Sequence, residues 1–290
     1  RGLFFPFEAG ENTITLTTNS VEVALGALSV HVAEPPVEYA AYRAQLPSLP
    51  APQDTLIAVQ GEHYDVKNHS YTFAASSSDP NLTPYSAGRR VINALAPGSW
   101  YLPGESVTYR FDVPADGDYL ITFKSSQPRK DDFPAFKQVL LDGVTPFAQM
   151  EAAAFPFTGE DVYTHTTLNA EREPALFRLT QGSHTLTLMS TAQPVYGWYG
   201  RLLDVMGEMT DTALEIRMIS GGAVDRNRDW GIEEYMPGIS DRLNQQADEL
   251  AVILDGLGAF SEVEPAILAP VRVSIARLRD FAQDPDTLVN

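Results

Sequence analysis

The hydrophobic period of this chain changes once, near Gly200, and that change limits the possible folds more than any other feature. Before it, apolar and polar residues alternate, as in strands covered on one side by a core. "ESVTYRFDVP" (Glu105–Pro114), "GDYLITFKSSQ" (Gly117–Gln127), "KQVLLDG" (Lys137–Gly143), "PALFRLTQG" (Pro174–Gly182) and "SHTLTLMST" (Ser183–Thr191) read as strands, led by "TLIAVQGEHY" (Thr55–Tyr64). Turn chemistry separates them at "PADGD" (Pro114–Asp118), "LDGVTP" (Leu141–Pro146) and "TQGSH" (Thr180–His184). Short strands without helical patterns between them predict an antiparallel β-sandwich over residues 55–195.

After Gly200 the apolar residues recur every three or four positions. Leu202, Met206, Met209, Ala213 and Ile216 predict one helix, stopped by "SGG" (Ser220–Gly222). Ile239, Leu243, Leu250 and Leu254 predict a second, ended by "DGLG" (Asp255–Gly258). Ile267, Val271, Ile275, Leu278 and Phe281 predict a third, with Pro265 near its first turn and Pro270 bending it. Residues 200–290 therefore read as a helical segment of about three helices.

Ahead of the sandwich, "NTITLTT" (Asn12–Thr18) and "VEVALGALSVHV" (Val21–Val32) alternate as two paired strands. The stretch Glu34–Asp54, with prolines at 35, 36, 47, 50 and 52, reads as a linker that has room for one short helix in "VEYAAYRAQL". "FPFEAGENTITL" (Phe5–Leu16) returns as "FRLTQGSHTLTL" (Phe177–Leu188), and a Phe, a turn Gly and an alternating T-[IL]-T-L keep register. This repeat predicts two equivalent hairpins in which Gly10 and Gly182 hold the same positive-φ turn position.

The chain carries 38 acidic against 20 basic residues, a formal net charge of −18. A surface that acidic repels phosphate backbones and anionic headgroups, which argues against nucleic-acid or membrane-surface partners. No apolar run approaches the ~20 residues that span a bilayer, so membrane insertion is not expected. The absence of cysteine excludes disulfides and thiolate metal sites. Few lysines, many Thr, Ser and Tyr, and no initiator methionine suit a mature or trimmed piece of an exported protein.

No nucleophile elbow, zinc-protease, phosphate-loop or dinucleotide motif is present. His31, His63, His69, His165 and His184 show no ligand-like spacing. The acidic pairs Asp131–Asp132, Glu160–Asp161 and Glu233–Glu234 fall in predicted loops or a helix start, where solvated charge is the default. An enzyme is not expected. In "DRNRDW" (Asp225–Trp230), alternating Asp and Arg suit bidentate pairs that fix a loop over Trp230, or a polar ligand clamp.

The order of motifs resembles a known family. "APGSWYLPGESVTYRFDVPADGDYLITFKSSQ" (Ala96–Gln127), "LLDGVTPF" (Leu140–Phe147), "FPF" (Phe155–Phe157), "FRLTQGSHTLTL" and "VQGEHY" (Val59–Tyr64) are similar to galactose-binding-like jelly rolls of the carbohydrate-binding-module type. With "GGAVDRNRDWGIEEYMPGISDRL" (Gly221–Leu243) behind them, the whole resembles jelly-roll regions of extracellular solute-binding lipoproteins of bacterial sugar ABC transporters. The resemblance implies a non-catalytic, cell-surface carbohydrate-recognition module within a larger multidomain chain. It makes residues 1–33 the terminal hairpin of a preceding module. Two alternatives stay open: an accessory module of a polysaccharide-degrading enzyme, and a structural spacer.

In such jelly rolls the ligand lies on loops at one end. Sugar rings stack on aromatic faces while their hydroxyls need amide and guanidinium partners. Trp100, Tyr101, Asn93, Tyr71, Tyr85, Arg89 and Arg90 are the candidates here, with Trp100 equally suited to plugging the core. The resemblance also implies a structural calcium ion on Glu62 of the first strand, although the usual partner on the last strand has no clear counterpart.

Overall fold

In the computed structural model, the alternation seen in the sequence becomes two facing β-layers, and the residues after them become a separate helical unit. The structure describes residues 10–14, 35–47, 49, 55–96, 98–129, 132–160, 162–221, 228, 230–261 and 265–289. A helix, α1 (Tyr39–Ala44), precedes thirteen strands: β1 (Val66–Lys67), β2 (Ala74–Ala75), β3 (Ala94–Leu95), β4 (Ser106–Val113), β5 (Gly117–Leu120), β6 (Thr122–Ser125), β7 (Ala135–Leu141), β8 (Ala153–Phe155), β9 (Thr164–Thr167), β10 (Asn169–Ala170), β11 (Glu173–Pro174), β12 (Leu176–Leu179) and β13 (Gly182–Thr191). Four helices follow: α2 (Gln193–Ser220), α3 (Ile232–Tyr235), α4 (Ile239–Gly258) and α5 (Ala269–Gln283).

The main layer is an antiparallel sheet ordered β1-β4-β13-β7-β8. Every second residue of its central strands points inward: Val107, Tyr109 and Val113 on β4, Val139 and Leu141 on β7, Leu186 and Leu188 on β13. The facing layer is one long ladder with an excursion. Strands β5 and β6 pair with β12 and β9 respectively, the Leu168 N–H donates to the Ile121 carbonyl between them, and the β10–β11 hairpin bulges out. Phe147, Met150 and Phe177 are buried between the layers. Each such side chain contributes about 2–3 kcal/mol by leaving water. At Asp142–Gly143 the turn read from sequence is a tight two-residue hairpin turn with positive φ at both residues, 50° and 82°.

Three sequence expectations need correction. Thr55–Tyr64 forms no regular strand: only Val66 and Lys67 add to the edge of β4. The segment around Gly182 is not a hairpin. Strand β12 pairs with β5 while β13 pairs with β4 and β7, so the turn carries the chain from one layer to the other. Gly10 and Gly182 do both have positive φ, 129° and 139°, but the expected hairpin over Asn12–Val32 lies outside the described residues apart from residues 12–14. Finally, part of the proline-rich stretch is docked. Helix α1 lies along the free edge of β12, where the Tyr39 and Tyr42 hydroxyls accept the Leu176 and Arg178 N–H groups, both at 2.9 Å. Their rings pack on Phe147, so the helix covers an edge that would otherwise be open to pairing.

Helix α2 starts directly after β13, with Pro194 in its first turn, and ends at Gly221 with φ 63°. The helical period was visible only from Leu202 because "QPVYGWYG" breaks the apolar pattern. Pro270 sits in the first turn of α5 and opens that helix instead of bending it. Val205, Ile216, Ile239, Leu243, Leu250, Ile253, Ile275 and Leu278 form a second core distinct from the sandwich core. Both oxygens of Asp286 accept the N–H groups of Trp230, Gly231 and Ile232 (2.8–3.0 Å), which caps α3 and fastens the chain's last described turn to it. Trp230 is buried, as the loop reading expected; residues 222–227 and 229 lie outside the described set. The two units touch where the Phe260 ring meets Phe133 and Phe136, with centroids 6.0 and 5.3 Å apart.

Candidate functional site

The candidate residues lie on the long connection between β1 and β4, organised by the short β2–β3 ladder. Ala74 pairs with Leu95 and Ala75 with Ala94, so residues 76–78 and 91–93 leave one end of that ladder while residues 71–73, 96 and 98–101 leave the other. The candidates therefore divide into two groups.

At the first end Tyr85, Arg89 and Arg90 line an open groove of about 450 Å³ together with Ser76, Ser77, Ser78 and Ser86. Asn93 does not face it. That side chain is buried, accepts the Ser77 N–H (2.8 Å) and donates to the Ser77 and Pro84 carbonyls (3.1 and 3.0 Å). It works as a backbone substitute that fixes the serine wall against the Tyr85 loop. Asp79 does similar work beside Ser78, accepting the Asn81 and Tyr163 N–H groups at 2.7 and 3.2 Å.

At the second end Tyr71 and Tyr101 are exposed, and Phe73 adds a third exposed ring. The residue that organises this end is Glu105, which the sequence reading had not singled out. It is buried; one oxygen accepts the Tyr101 and Leu102 N–H groups (2.8 and 2.9 Å) and the other lies 3.0 Å from Nδ1 of His69, whose ring contacts Tyr71. The signal was a lone glutamate after a Pro-Gly turn, which is too common to stand out. Trp100 is partly buried against the sandwich core, donates Nε1–H to the Glu105 carbonyl (3.0 Å) and has Nζ of Lys137 3.5 Å from its ring centroid. That ring face is taken by a cation–π contact. Of the two roles open to Trp100, packing is the one these contacts serve.

Glu62 is buried, and neither carboxylate oxygen has a hydrogen-bond partner among the described residues. Burial, with the Glu62 charge adding to it, pushes the Tyr109 hydroxyl well above its usual pKa. An orphaned carboxylate suits a hard cation, yet calcium needs about 6–8 oxygens. Among the described residues no group of three or more His, Cys, Asp or Glu gathers there. Among the described residues, carboxylate and imidazole groups alone therefore do not supply such a set.

Of the three acidic doublets, only Glu233–Glu234 is described at both residues. Glu233 accepts the Gly238 N–H at 2.9 Å and holds the turn into α4. Asp118 is buried in a double ion pair with Arg43 of α1 and Arg178 of β12, both at 2.8 Å. The hydrogen bond from Arg43, with that from Arg178, holds its carboxyl down at about 2 despite burial.

Residues 198–290 match the model of the bacterial solute-binding protein 4-helix bundle domain. The match begins at Trp198, in the second turn of α2, and covers the helical unit only. No curated protein matches the chain. Among solved structures, a Paenibacillus sp. cycloisomaltooligosaccharide glucanotransferase complexed with cycloisomaltoheptaose is 20% identical over 47% of this chain and 16% of its own, with a TM-score of 0.34. A family 35 carbohydrate-binding module from Clostridium thermocellum is 14% identical over 47% of this chain and 86% of its own, at 0.33. A CBM35 from Cellvibrio japonicus Abf62 is 15% identical over 47% and 82%, at 0.29. Similarity at this level says nothing about ligand or site. Among the described residues no helix is long and apolar enough to cross a membrane.

Proposed function

We propose that this chain is a non-catalytic, extracytoplasmic part of a sugar-transport-associated solute-binding lipoprotein, and that its sandwich recognises carbohydrate. The observation that carries this reading is the match of the helical unit to the solute-binding four-helix bundle domain, joined through the single residue Ala192 to the sandwich's last strand. The groove at Tyr85, Arg89 and Arg90 supports the sugar part: it offers one aromatic ring, two guanidinium groups and a wall of serine hydroxyls on an open surface. A saccharide needs those groups, with ring stacking on a C–H face and donors and acceptors around its rim. Tyr71 and Tyr101, on the far end of the same ladder, serve as an outlying platform for a longer chain.

The test is a glycan array probed with the chain, followed by calorimetric titration of the best hit against wild type and Tyr85→Ala. Binding that the substitution weakens at least fivefold supports the reading. An array with no saccharide bound would leave a structural spacer as the better account.

A further inference from the structure

We infer that His184 is a proton-operated clip, joining two turns at one end of the sandwich when its ring is protonated and freeing one of them when it is neutral. The observation is what its ring nitrogens meet. Nδ1 lies 2.7 Å from a carboxylate oxygen of Asp142, and Nε2 lies 2.8 Å from the backbone carbonyl oxygen of Thr180. Both partners are acceptors. A neutral imidazole has one N–H and one lone pair, so it serves one of them and sets its lone pair against the other; the imidazolium donates to both. Among the described residues the other polar or aromatic contacts of the ring are the Thr180 hydroxyl, at 3.4 Å, and the Phe111 ring, with centroids 6.0 Å apart.

The clip sits where the chain changes layer. Strand β12 pairs with β5, β13 pairs with β4 and β7, and Thr180 lies in the turn between them, ahead of Gly182. Asp142 belongs to the tight turn after β7, and it also accepts the Thr185 N–H at 2.8 Å. Asp142 is the charged group that touches the ring. Phe111 stands opposite His184 on β4, its neighbours Arg110 and Asp112 are exposed, and Asp116 of the β4–β5 turn is engaged by the Gln181 N–H at 2.6 Å. The side chain of His184 is only 11% exposed. Burial disfavours its charge, yet the hydrogen bonds to Asp142 and Thr180 outweigh that and raise its pKa. Stability from such a group is complete below the unfolded value, about 6.5, and is lost as pH rises through the folded one. Once neutral, the ring keeps its N–H on the carboxylate, the stronger acceptor, and gives up the Thr180 carbonyl. The turn between the layers is therefore held in mildly acidic medium and freed in mildly alkaline medium.

Nitrogen-15 NMR of the ring, titrated from about pH 5 to 9 on the whole chain, tests the inference. The comparison variant is Asp142→Asn, which suits a residue with φ of 50°. Its amide oxygen still accepts the Thr185 N–H and its amide N–H donates to Nδ1, so the neutral ring satisfies both turns. Wild-type His184 should lose its proton above about pH 6.5, and the amide shifts of Thr180 to Gly182 should follow with the same midpoint. In the variant the midpoint should fall by at least about one pH unit, a tenfold loss of proton affinity, and those amides should stop following pH. The melting temperature of wild type minus that of the variant should fall between about pH 6 and 8.5. A wild-type midpoint at or below about 6.5, a midpoint unchanged in the variant, or turn amides indifferent to the ring's charge would overturn the inference. Should the variant not fold, the wild-type ring and its turn amides decide the matter alone.

Discussion

Replacing Gly256 by alanine should destabilise the helical unit, although the same change inside an ordinary helix is favourable. Gly256 lies in the last turns of α4, and a methyl group there would sit 2.3, 2.4 and 2.6 Å from Cζ2, Cη2 and Cε2 of Trp198. Carbon atoms in good contact stand about 3.5–4.0 Å apart, so the overlap exceeds 1 Å against a rigid ring. Trp198 cannot swing away freely. The guanidinium of Arg201 lies 5.2 Å from its ring centroid, and Arg201 is held by Glu249 through two bonds of 2.6 and 2.8 Å. Helix propensity favours Ala over Gly by about 1 kcal/mol, and overpacking costs about 1–3 kcal/mol. Gly207 of α2 supplies the internal control, because a methyl group there meets nothing within 4 Å. Gly207→Ala should therefore stabilise by up to ~1 kcal/mol, while Gly256→Ala should fall below it by about 1–3 kcal/mol. Urea unfolding followed by helical circular dichroism measures both, and Trp198→Ala in the second background should remove the difference. Equal stabilisation by the two substitutions would mean that α4 does not press its backbone against Trp198.

Asp118 should govern part of the acid sensitivity. Its folded pKa of about 2 lies below the ordinary 3.8, so its contribution of about 2 kcal/mol is complete above the unfolded value and is lost as pH falls through the folded one. Asp118→Asn should lower stability at pH 7 by about that amount and flatten the decline between about pH 5 and 2; urea melts across that range check it, and an unchanged slope would contradict it. Trp100→Ala should lower stability by about 3 kcal/mol and leave saccharide affinity at the groove unaltered, as melts and calorimetry on one preparation would record.

The sequence carried the strands whose covered faces are continuous, β4, β7 and β13, because alternation such as Val107-Tyr109-Val113 is a local pattern. It did not carry their partners. Pairing joins residues far apart in the chain, and the resemblance of Phe5–Leu16 to Phe177–Leu188 could not reveal that Gly182 passes between layers. The facing layer was harder still. Strands β9, β10 and β11 are two to four residues long and polar, "THTT" among them, and their pattern is too short to show a period. The short helix that "VEYAAYRAQL" had room for does form as α1, but its docking through two tyrosines on β12 is a tertiary effect that the local pattern does not carry.

At the site, residue types were legible and their roles only in part. Tyr85, Arg89 and Arg90 do converge. Asn93 and Trp100 were sensible polar and aromatic choices, but burial turns the first into a wall support and a lysine covers a face of the second. Glu62 shows the opposite case. The resemblance selected it, and its buried, unpartnered oxygens are unusual, yet among the described residues no group of three or more His, Cys, Asp or Glu gathers around a metal position.

The central claim, that the sandwich recognises a saccharide at the groove, is tested most directly by nuclear magnetic resonance. Backbone amide shifts of the isotopically labelled chain would be followed during titration with the strongest-binding glycan. Saturable shifts centred on Ser76–Ser78 and Tyr85–Val91, with the amides of α4 and α5 unmoved, are the predicted result. Shifts confined to the helical unit, or none at a saccharide excess over 10 mM, would contradict it.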